Sequence, residues 1–512
     1  MATYIKGHKN FYPDIKPFTP DYKFLSATLD ATQAKYDAGW KAQNDLYNKV
    51  VYSPLTNPNS LEYQRQYAEK LGPSLEKITG MDLSLEQNVQ AAKSAFAPFF
   101  EDEEVVYDMV WTGAYNEAVN KFSSLASSSN EETRQLANID VGMGIADMDF
   151  RGSPAIKEAL DKRIQHNNWG YEDLRKSYIE SIVQWNSERH GYELDPATVK
   201  ISSGVHTPLI AALNAVTKPN TKVLLNTPTY NGFYGDLRWS RTQINDSEMY
   251  KDDDGVYHID WDDFEAKMTP DTYAFILCNP QNPTGNMWSE EDLLKMGELC
   301  LKKGIVVLAD EIHCDFVMKG QKYIPFASLP DKAIVNNSVT MKAISKTFSL
   351  ASMKSAYYFS TNPVLLDRVN YMHRADINSL GIVANEAAYR YGAEWFDQLL
   401  PYIDENHNFA EAYIKEKLPL VKYKKAQGTY LAWLDVSAVG EAIDAEKHAS
   451  DEGMKSDTHY LEKWFVDNAK VQLNPGIGYG TGGNGHMRMN LGTPRPLIKQ
   501  AIDNLADALS NV

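Results

Sequence analysis

The segment 340–355, TMKAISKTFSLASMKS, contains three lysines among alanine, isoleucine, leucine, phenylalanine and methionine. Burial disfavours a charged amine, so a lysine in apolar surroundings is more often neutral and becomes a nucleophile towards aldehydes. Lys346 directly follows the β-rich run IVNNSVTMKAIS. Taken alone, such a lysine is more often a surface residue whose ammonium group reaches water. The groups elsewhere in the chain therefore decide whether Lys346 does chemistry.

A carboxylate and an imidazole come at the end of another apolar run, GIVVLADEIH. Asp310 stands at the end of this run, and His313 follows three residues later. A carboxylate at a strand end can simply cap the helix that follows. It can equally be the anion that keeps the nitrogen of a bound ring protonated.

Three further segments place polar or aromatic groups after strands. In NPQNPTG (279–285), two Asn-Pro steps and a glycine predict a rigid turn that aims the amide of Asn282 at a ligand oxygen. SSGVHTPL (202–209) predicts a strand, a glycine turn and a helix start, whose free N–H groups suit a phosphate. PTYNGFY (228–234) places Tyr230 where its ring either fills the core or stacks on a planar ligand.

Together these groups form one chemical pattern. An amine, a carboxylate, an amide, an imidazole and a phosphate-binding turn at successive strand ends are the parts that hold pyridoxal phosphate. In such a site the lysine binds the cofactor covalently and the carboxylate partners its pyridine nitrogen. The combination makes Lys346 the candidate nucleophile and Asp310 its counterpart.

The elements that carry these residues predict an α/β fold with a mainly parallel sheet. Apolar β-rich runs alternate with helical segments such as EEDLLKMGELCLKKG, a pattern typical of strands buried on both faces. Ligands of such sheets bind beyond the carboxyl ends of the strands. The predicted strand segments are 198–204, 221–228, 273–280, 304–311 and 334–345.

We predict the following organisation. Residues 1–122 form a mostly helical N-terminal module, with apolar residues spaced four and seven apart, and the Ser-rich stretch 123–138 is a linker. Residues 150–398 form the large, cofactor-binding α/β domain. Segments 139–149 and 399–512 together form a smaller α+β domain.

Composition limits the function further. The 512-residue chain has a net charge of −17 and a pI of about 5.2, which disfavours nucleic acid as a partner. Its three cysteines form no CxxC pair, which favours buried thiols in a reducing compartment. No secretory signal and no membrane span is recognisable, so we expect a cytoplasmic protein. We assign no metal ligands.

From about residue 139 onwards the chain resembles the fold-type I pyridoxal-phosphate enzymes. It is most similar to the C–S lyases of the MalY/PatB type, a group of cystathionine β-lyases and class I/II aminotransferases. The resemblance implies a homodimer with active sites at its interface. It rests on the motifs IADMDF (145–150), WGY (169–171), NPQNPTG (279–285), ADEIHCDF (309–316), SKTFSLA (345–351), GTYLAWLD (428–435) and LNPGIGYGTGGNGHMRMNLGTPR (473–495).

The resemblance also implies roles around the cofactor ring. Lys346 is expected to bind the cofactor covalently and to act as the catalytic residue, and Asp310 to pair with the pyridine nitrogen. Asn282 and His313 are expected near the phenolic oxygen, although many relatives have tyrosine where this chain has His313. Tyr230 is expected to stack on the ring.

Further matching positions are expected at the phosphate and the substrate. Lys354 supplies charge where the aminotransferase branch often has a phosphate-binding arginine, whereas Lys342 points to the opposite side of its strand and has no assigned role. The other phosphate contacts are Gly204, Val205, Ser345 and, from the other subunit, Tyr171. Arg488 would bind the substrate α-carboxylate bidentately, with Ala146 beside it.

Two departures from the family pattern concern substrate turnover. Gly144 stands where relatives often have a bulky aromatic residue. The N-terminal segment that normally precedes ADMDF and shapes the substrate pocket is replaced by another sequence. Two stretches of this sequence, FYPDIKPFTPDYKFLSATLDATQAKYD and GMDLSLEQNVQAAKSAFAPFFEDE, resemble the opening segments of virion structural proteins of crAss-like tailed phages.

The resemblance implies a pyridoxal-phosphate-dependent C–S β-lyase that cleaves cystathionine or another S-substituted L-cysteine to a thiol, pyruvate and ammonia. The same residues would serve an aminotransferase, which is the first alternative. An alternative of another class is a phage virion structural or interaction protein that carries an enzyme-like domain, with a virion partner bound through the N-terminal module.

Overall fold

The computed structural model describes residues 139–510 and 512. The predicted N-terminal module 1–122 and linker 123–138 lie outside these residues. Within them the strands are β1 (Val141–Gly142), β2 (Val199–Ser202), β3 (Lys222–Thr227), β4 (Gln243–Glu248), β5 (Tyr250–Lys251), β6 (Tyr257–His258), β7 (Thr272–Cys278), β8 (Val306–Asp310), β9 (Ser338–Ala343), β10 (Ala356–Phe359), β11 (Leu431–Asp435), β12 (Val471–Gln472), β13 (Asn474–Pro475) and β14 (His486–Asn490).

Helices separate most of these strands. The α-helices of the described residues are α1 (Pro154–His166), α2 (Lys176–His190), α3 (His206–Val216), α4 (Gly232–Trp239), α5 (Trp261–Ala266), α6 (Glu290–Lys303), α7 (Lys332–Asn336), α8 (Ile344–Thr347), α9 (Pro363–Met372), α10 (Ser379–Tyr391), α11 (Ala393–Lys417), α12 (Ser437–Ala442), α13 (Ala445–Asp451), α14 (Asp457–Trp464) and α15 (Arg495–Leu509).

A seven-stranded sheet lies at the centre, in the order β2-β10-β9-β8-β7-β3-β4. All neighbouring pairs are parallel except those of β10, which runs antiparallel to both β2 and β9. Alternate residues of β7 enter two separate apolar clusters, so the sheet is buried on both faces. The predicted α/β fold with a mainly parallel sheet is therefore confirmed.

One predicted strand begins later than expected. The run 334–345 was expected to be extended throughout, but its first residues end helix α7. The carboxylate of Asp331 accepts hydrogen bonds from the backbone N–H groups of Ala333 and Ile334, which starts this helix. Only Ser338–Ala343 forms the strand, and all six of its residues are buried.

A second, smaller sheet contains β11, β14 and β13, while β1 pairs in parallel with β12. Strands β11 and β14 lie against α11 and α15 in an apolar cluster of their own. The pairing of β1 ties the start of the described chain to its C-terminal part. The division into 150–398 and 139–149 with 399–512 stays a prediction.

Two further observations bear on the sequence-based expectations. All three cysteines are free and buried. None of the helices between residues 139 and 510 has both the length and the apolar character needed to cross a bilayer.

Candidate active site

The ends of three neighbouring parallel strands bring the candidate residues together. Cys278 at the end of β7 is paired with Asp310 at the end of β8, and Asp310 is paired with Met341 of β9. The turn that contains Asn282 leaves β7 at this edge, and helix α8 with Lys346 leaves β9 there. Because parallel strands end on the same side, these groups face one region.

Lys346 lies in the short helix α8, directly after β9. Its Nζ donates a hydrogen bond of 2.7 Å to the backbone oxygen of Ala146. Burial, and next the charge of Arg488, lower the pKa of Lys346 from its usual 10.5 to about 8, against an opposing effect of Asp147 and Asp310. The amine is therefore neutral in an appreciable fraction of molecules near neutral pH.

Asp310 is buried, and its carboxylate accepts a 3.1 Å hydrogen bond from the backbone N–H of Ile312. Burial raises the pKa of Asp310 to about 6, while the bond to Ile312 and the charge of His206 lower it. A buried carboxylate with a raised pKa gains from a cationic partner. A protonated ring nitrogen is a partner of this kind.

Arg488 and Asn282 lie in direct contact. Arg488 is a buried residue of β14, and its Nη1 donates to the side-chain oxygen of Asn282 at 3.3 Å. Its Nη2 donates to the backbone oxygen of Gly144 at 2.8 Å. Its guanidinium also lies 5.2 Å from the ring centroid of Tyr479. The residue expected at the substrate thus lies against one expected at the cofactor.

His313 is buried three residues beyond Asp310. Burial, and next the charges of Lys346 and Arg488, hold the pKa of His313 well below its usual value, so the ring is neutral. Its ring meets that of Tyr430 edge to face, with centroids 5.7 Å apart. Its Nδ1 has no hydrogen-bond partner within the described residues.

The predicted phosphate turn lies at the end of β2. Gly204 and Val205 precede the first turn of α3, and a Cβ added to Gly204 would meet no atom within 4 Å. Ser345, in α8, is half-buried. Lys354 is exposed and stands two residues before β10. Since β10 is antiparallel, its start lies at the edge where the parallel strands end.

Tyr230 is half-buried, but the structure joins it to two residues that the sequence analysis did not select. The hydroxyl of Tyr230 lies 3.4 Å from Nε2 of His206, and Nδ1 of His206 lies 2.8 Å from a carboxylate oxygen of Asp236. The histidine of SSGVHTPL was visible in the sequence, but its partner lies 30 residues away. No local spacing signals that pair.

A second missed group holds the segment IADMDF in place. The backbone oxygen of Ala146 accepts from the hydroxyl of Tyr430 at 3.0 Å as well as from Lys346. The side-chain amide of Asn490 donates to the backbone oxygens of Ile145 and Asp147, at 3.0 and 2.7 Å. Every residue type has a backbone oxygen, so the sequence does not indicate which of these oxygens accept hydrogen bonds at the site. Only the fold shows them.

Tyr171 is a predicted site residue that the structure leaves apart from this group. It is fully exposed in the stretch between α1 and α2. Its expected contact with the cofactor of another subunit stays a prediction.

The site fits pyridoxal phosphate on structural grounds. Three features lie at the same sheet edge: the Lys346 amine with its lowered pKa, the buried Asp310 carboxylate with its raised pKa, and open space at Gly204. Two buried nitrogens at the site, His313 Nδ1 and Arg488 Nε, lack partners within the described residues. Buried polar atoms are normally hydrogen-bonded, so such atoms suit a polar ligand.

Comparison with known proteins identifies the class to which this fold and site belong. The model of the family "Aminotransferase class I and II" matches residues 138–505. Cystathionine beta-lyase PatB of Bacillus subtilis is 39% identical over 375 residues, which cover 72% of this chain and 92% of PatB. Protein MalY of Escherichia coli is 29% identical over 379 residues, 72% of this chain and 91% of MalY.

Solved structures agree with these relatives. The pyridoxal-phosphate-bound C–S lyase of Staphylococcus hominis matches with a TM-score of 0.66 and 29% identity, over 72% of this chain and 92% of that one. Cystalysin of Treponema denticola, which contains the same cofactor, matches with a TM-score of 0.68 and 25% identity, over 77% and 95%. The chain belongs to the class I and II aminotransferase family and is a pyridoxal-phosphate enzyme of fold type I.

Proposed function

We propose that this enzyme cleaves the Cβ–S bond of cystathionine or a related S-substituted L-cysteine, releasing a thiol, pyruvate and ammonia. The observation that carries the proposal is the placement of Lys346, whose lowered pKa leaves its amine partly neutral, near Asp310 at the edge of the large sheet and near Arg488 of the second sheet. Support for the substrate class comes from PatB, which is named a cystathionine beta-lyase.

Lys346 is the proposed anchor and general base. When bound, pyridoxal phosphate supplies an electron-poor ring that takes up the electrons left on Cα after its proton is removed. With a pKa of about 8, Lys346 is well matched to accept that proton near neutral pH. The backbone oxygen of Ala146 holds its Nζ in position.

Arg488 is the proposed carboxylate-binding residue. A guanidinium can hold a carboxylate through two parallel hydrogen bonds, which fixes the substrate's Cα relative to Lys346. The Nη1 and Nη2 atoms of this guanidinium donate to Asn282 and Gly144, whereas Nε lacks a partner within the described residues. The backbone of Gly144 and Ala146 therefore borders the proposed substrate site.

The remaining assignments follow from their positions. We propose Asp310 as partner of the ring nitrogen, Asn282 and His313 as neighbours of the phenolic oxygen, and Tyr230 as the stacking residue. The proposed phosphate contacts are Gly204, Val205, Ser345 and Lys354, with Tyr171 from a second subunit. This last contact makes a homodimer part of the proposal, because each site would then be incomplete in one chain.

The experiment supplies cystathionine or S-methylcysteine to the purified enzyme and measures pyruvate without any keto-acid acceptor. A lyase releases pyruvate under these conditions. Turnover that requires a keto acid would instead identify an aminotransferase, an outcome that the match to the aminotransferase family makes worth separating. No turnover with either assay would refute both functions.

A further inference from the structure

His206, Asp236 and Tyr230 form a chain of hydrogen-bonding groups beside the phosphate turn. His206 is the first residue of α3, two positions after Gly204. Its Nδ1 lies 2.8 and 3.0 Å from the two carboxylate oxygens of Asp236, which is buried in α4. Its Nε2 lies 3.4 Å from the Tyr230 hydroxyl, and the two rings have centroids 5.8 Å apart.

The carboxylate of Asp236 decides which nitrogen of His206 titrates. An ionised carboxylate only accepts hydrogen bonds, so Nδ1 carries a hydrogen whether the ring is neutral or charged. Nε2 is then the nitrogen that gains and loses a proton. When Nε2 is protonated it donates to the Tyr230 oxygen, and when it is bare it accepts the Tyr230 hydroxyl hydrogen.

The hydrogen bond between His206 and Tyr230 therefore reverses direction when His206 titrates. Burial raises the pKa of Tyr230 to about 12, so its hydroxyl keeps its hydrogen throughout the neutral range. With His206 charged, that hydrogen is free for a ligand on the other side of the oxygen. With His206 neutral, the hydrogen is engaged by Nε2.

The charged groups around His206 set where this reversal falls. The hydrogen bond to Asp236 raises the pKa of His206 above 6.5, and burial opposes it. Asp310 adds to the rise and Lys346 reduces it. Burial raises the pKa of Asp236 itself, and its bond to His206 opposes that rise.

We propose that His206, oriented by Asp236, is a positioning residue that controls the Tyr230 hydroxyl hydrogen, making it available to a bound substrate only while His206 is protonated. The inference rests on the proposed function, since it places Tyr230 over the cofactor ring. It adds a third pH-sensitive group to a site that already contains Lys346 and Asp310. In this proposal His206 and Asp236 act only through Tyr230.

Four variants of the holoenzyme test the proposal. His206→Leu removes both nitrogens, His206→Gln keeps an amide that donates at every pH, and Asp236→Asn removes the charge that favours the imidazolium. The matched control is His258→Leu, because His258 also pairs with an aspartate, Asp252 at 2.7 Å, and stacks on a tyrosine, with centroids 5.4 Å apart.

Two readouts are recorded against pH: kcat for pyruvate release and the visible circular dichroism of the bound cofactor, which reports how Tyr230 packs on its ring. We expect a step in both above pH 6.5 in the wild type, in which kcat falls as pH rises, against the opposing rise in kcat that deprotonation of Lys346 causes. His206→Leu should abolish both steps and lower the acid-side kcat about tenfold, the effect of one lost hydrogen bond. His206→Gln should keep kcat while losing both steps.

Asp236→Asn should move both steps to lower pH, because the imidazolium loses its carboxylate. Steps that persist unchanged in His206→Leu, or in His206→Gln if the leucine variant does not bind cofactor, would overturn the proposal. So would their loss in His258→Leu. A dichroism step that depends on His206 in an enzyme that releases no pyruvate would refute the proposed function but leave the control of Tyr230 intact.

Discussion

Two lysines four residues apart lie in opposite electrostatic environments. Lys342 of β9 is fully buried, with Nζ 3.6 Å from a carboxylate oxygen of Glu311 and donating to the side-chain oxygen of Asn186 at 3.0 Å. Lys346 is only half-buried and donates to a backbone oxygen. The less buried amine is nevertheless the one whose pKa is lowered.

The partners explain this difference. Burial lowers the pKa of Lys342, but the nearby carboxylate of Glu311 opposes it and the pKa ends above its usual value. For Lys346, burial acts in the same direction as the positive charge of Arg488, and the pKa falls to about 8. Burial alone therefore does not make a lysine reactive; the sign of the neighbouring charge decides.

The largest effect should follow from removing the reactive lysine. In the proposed mechanism Lys346→Ala leaves no base for Cα and no amine for the cofactor, so we expect pyruvate release to fall by about 10³-fold or more. The exposed Lys302→Ala is the control and should be fully active. Appreciable activity of Lys346→Ala with wild-type kinetics would remove the lysine from the mechanism.

Disrupting the buried pair of Lys342 and Glu311 should instead lower stability. Glu311→Gln leaves the Lys342 ammonium buried without its anion, so the free energy of unfolding should fall by about 3 kcal/mol. Chemical denaturation of the cofactor-free protein measures this change, and the exposed Glu298→Gln should change it little. An unchanged denaturation midpoint for Glu311→Gln would contradict the assigned pair.

Asp310 offers a third comparison, because it lies next to Glu311 but is the proposed partner of the cofactor's ring nitrogen. Asp310→Asn removes the anion proposed to lie opposite the ring nitrogen, and we expect kcat to fall about 10²-fold with a small change in stability. The measurement is kcat at saturating cofactor, beside denaturation of the same sample. A large loss of stability with normal kcat would show that Asp310, like Glu311, has a structural role and is not needed for catalysis.

The smallest expected effect concerns the pKa of Lys346. Cofactor uptake by the cofactor-free protein needs the neutral amine, so its rate should rise about tenfold per pH unit below pH 8 and level off above it. Arg488→Met removes a charge that lowers this pKa, so the midpoint should move upwards by less than about one unit. Stopped-flow absorbance measures the rate. A midpoint near 10.5 in the wild type would show an ordinary lysine.

Sequence patterns predicted those parts of the site that depend on local order. Apolar runs that end in Asp310, the Asn282 turn and Lys346 indicate strand ends, and parallel strands bring their ends together. The pattern could not show that residues 334–336 end a helix, since the capping group, Asp331, lies before the run. It also could not show that β10 is antiparallel, which is what brings Lys354 to the same edge.

Contacts between distant segments had no sequence signal. The Ala146 oxygen that holds Lys346 is 200 positions away, and any residue type supplies such an oxygen. Lys342 and Lys346 share one apolar segment, and only their partners, Glu311 and Arg488, tell the two amines apart. Glu311 directly follows strand β8, and Arg488 comes from the second sheet.

Reduction of the holoenzyme with borohydride tests the central claim most directly, because it fixes the cofactor permanently on the amine that holds it. Peptide mass mapping then locates the modified residue. We predict a single pyridoxyl group on Lys346 and none on Lys342 or Lys354. A pyridoxyl group on Lys342, or cofactor binding that leaves no lysine modified, would contradict the assignment of Lys346.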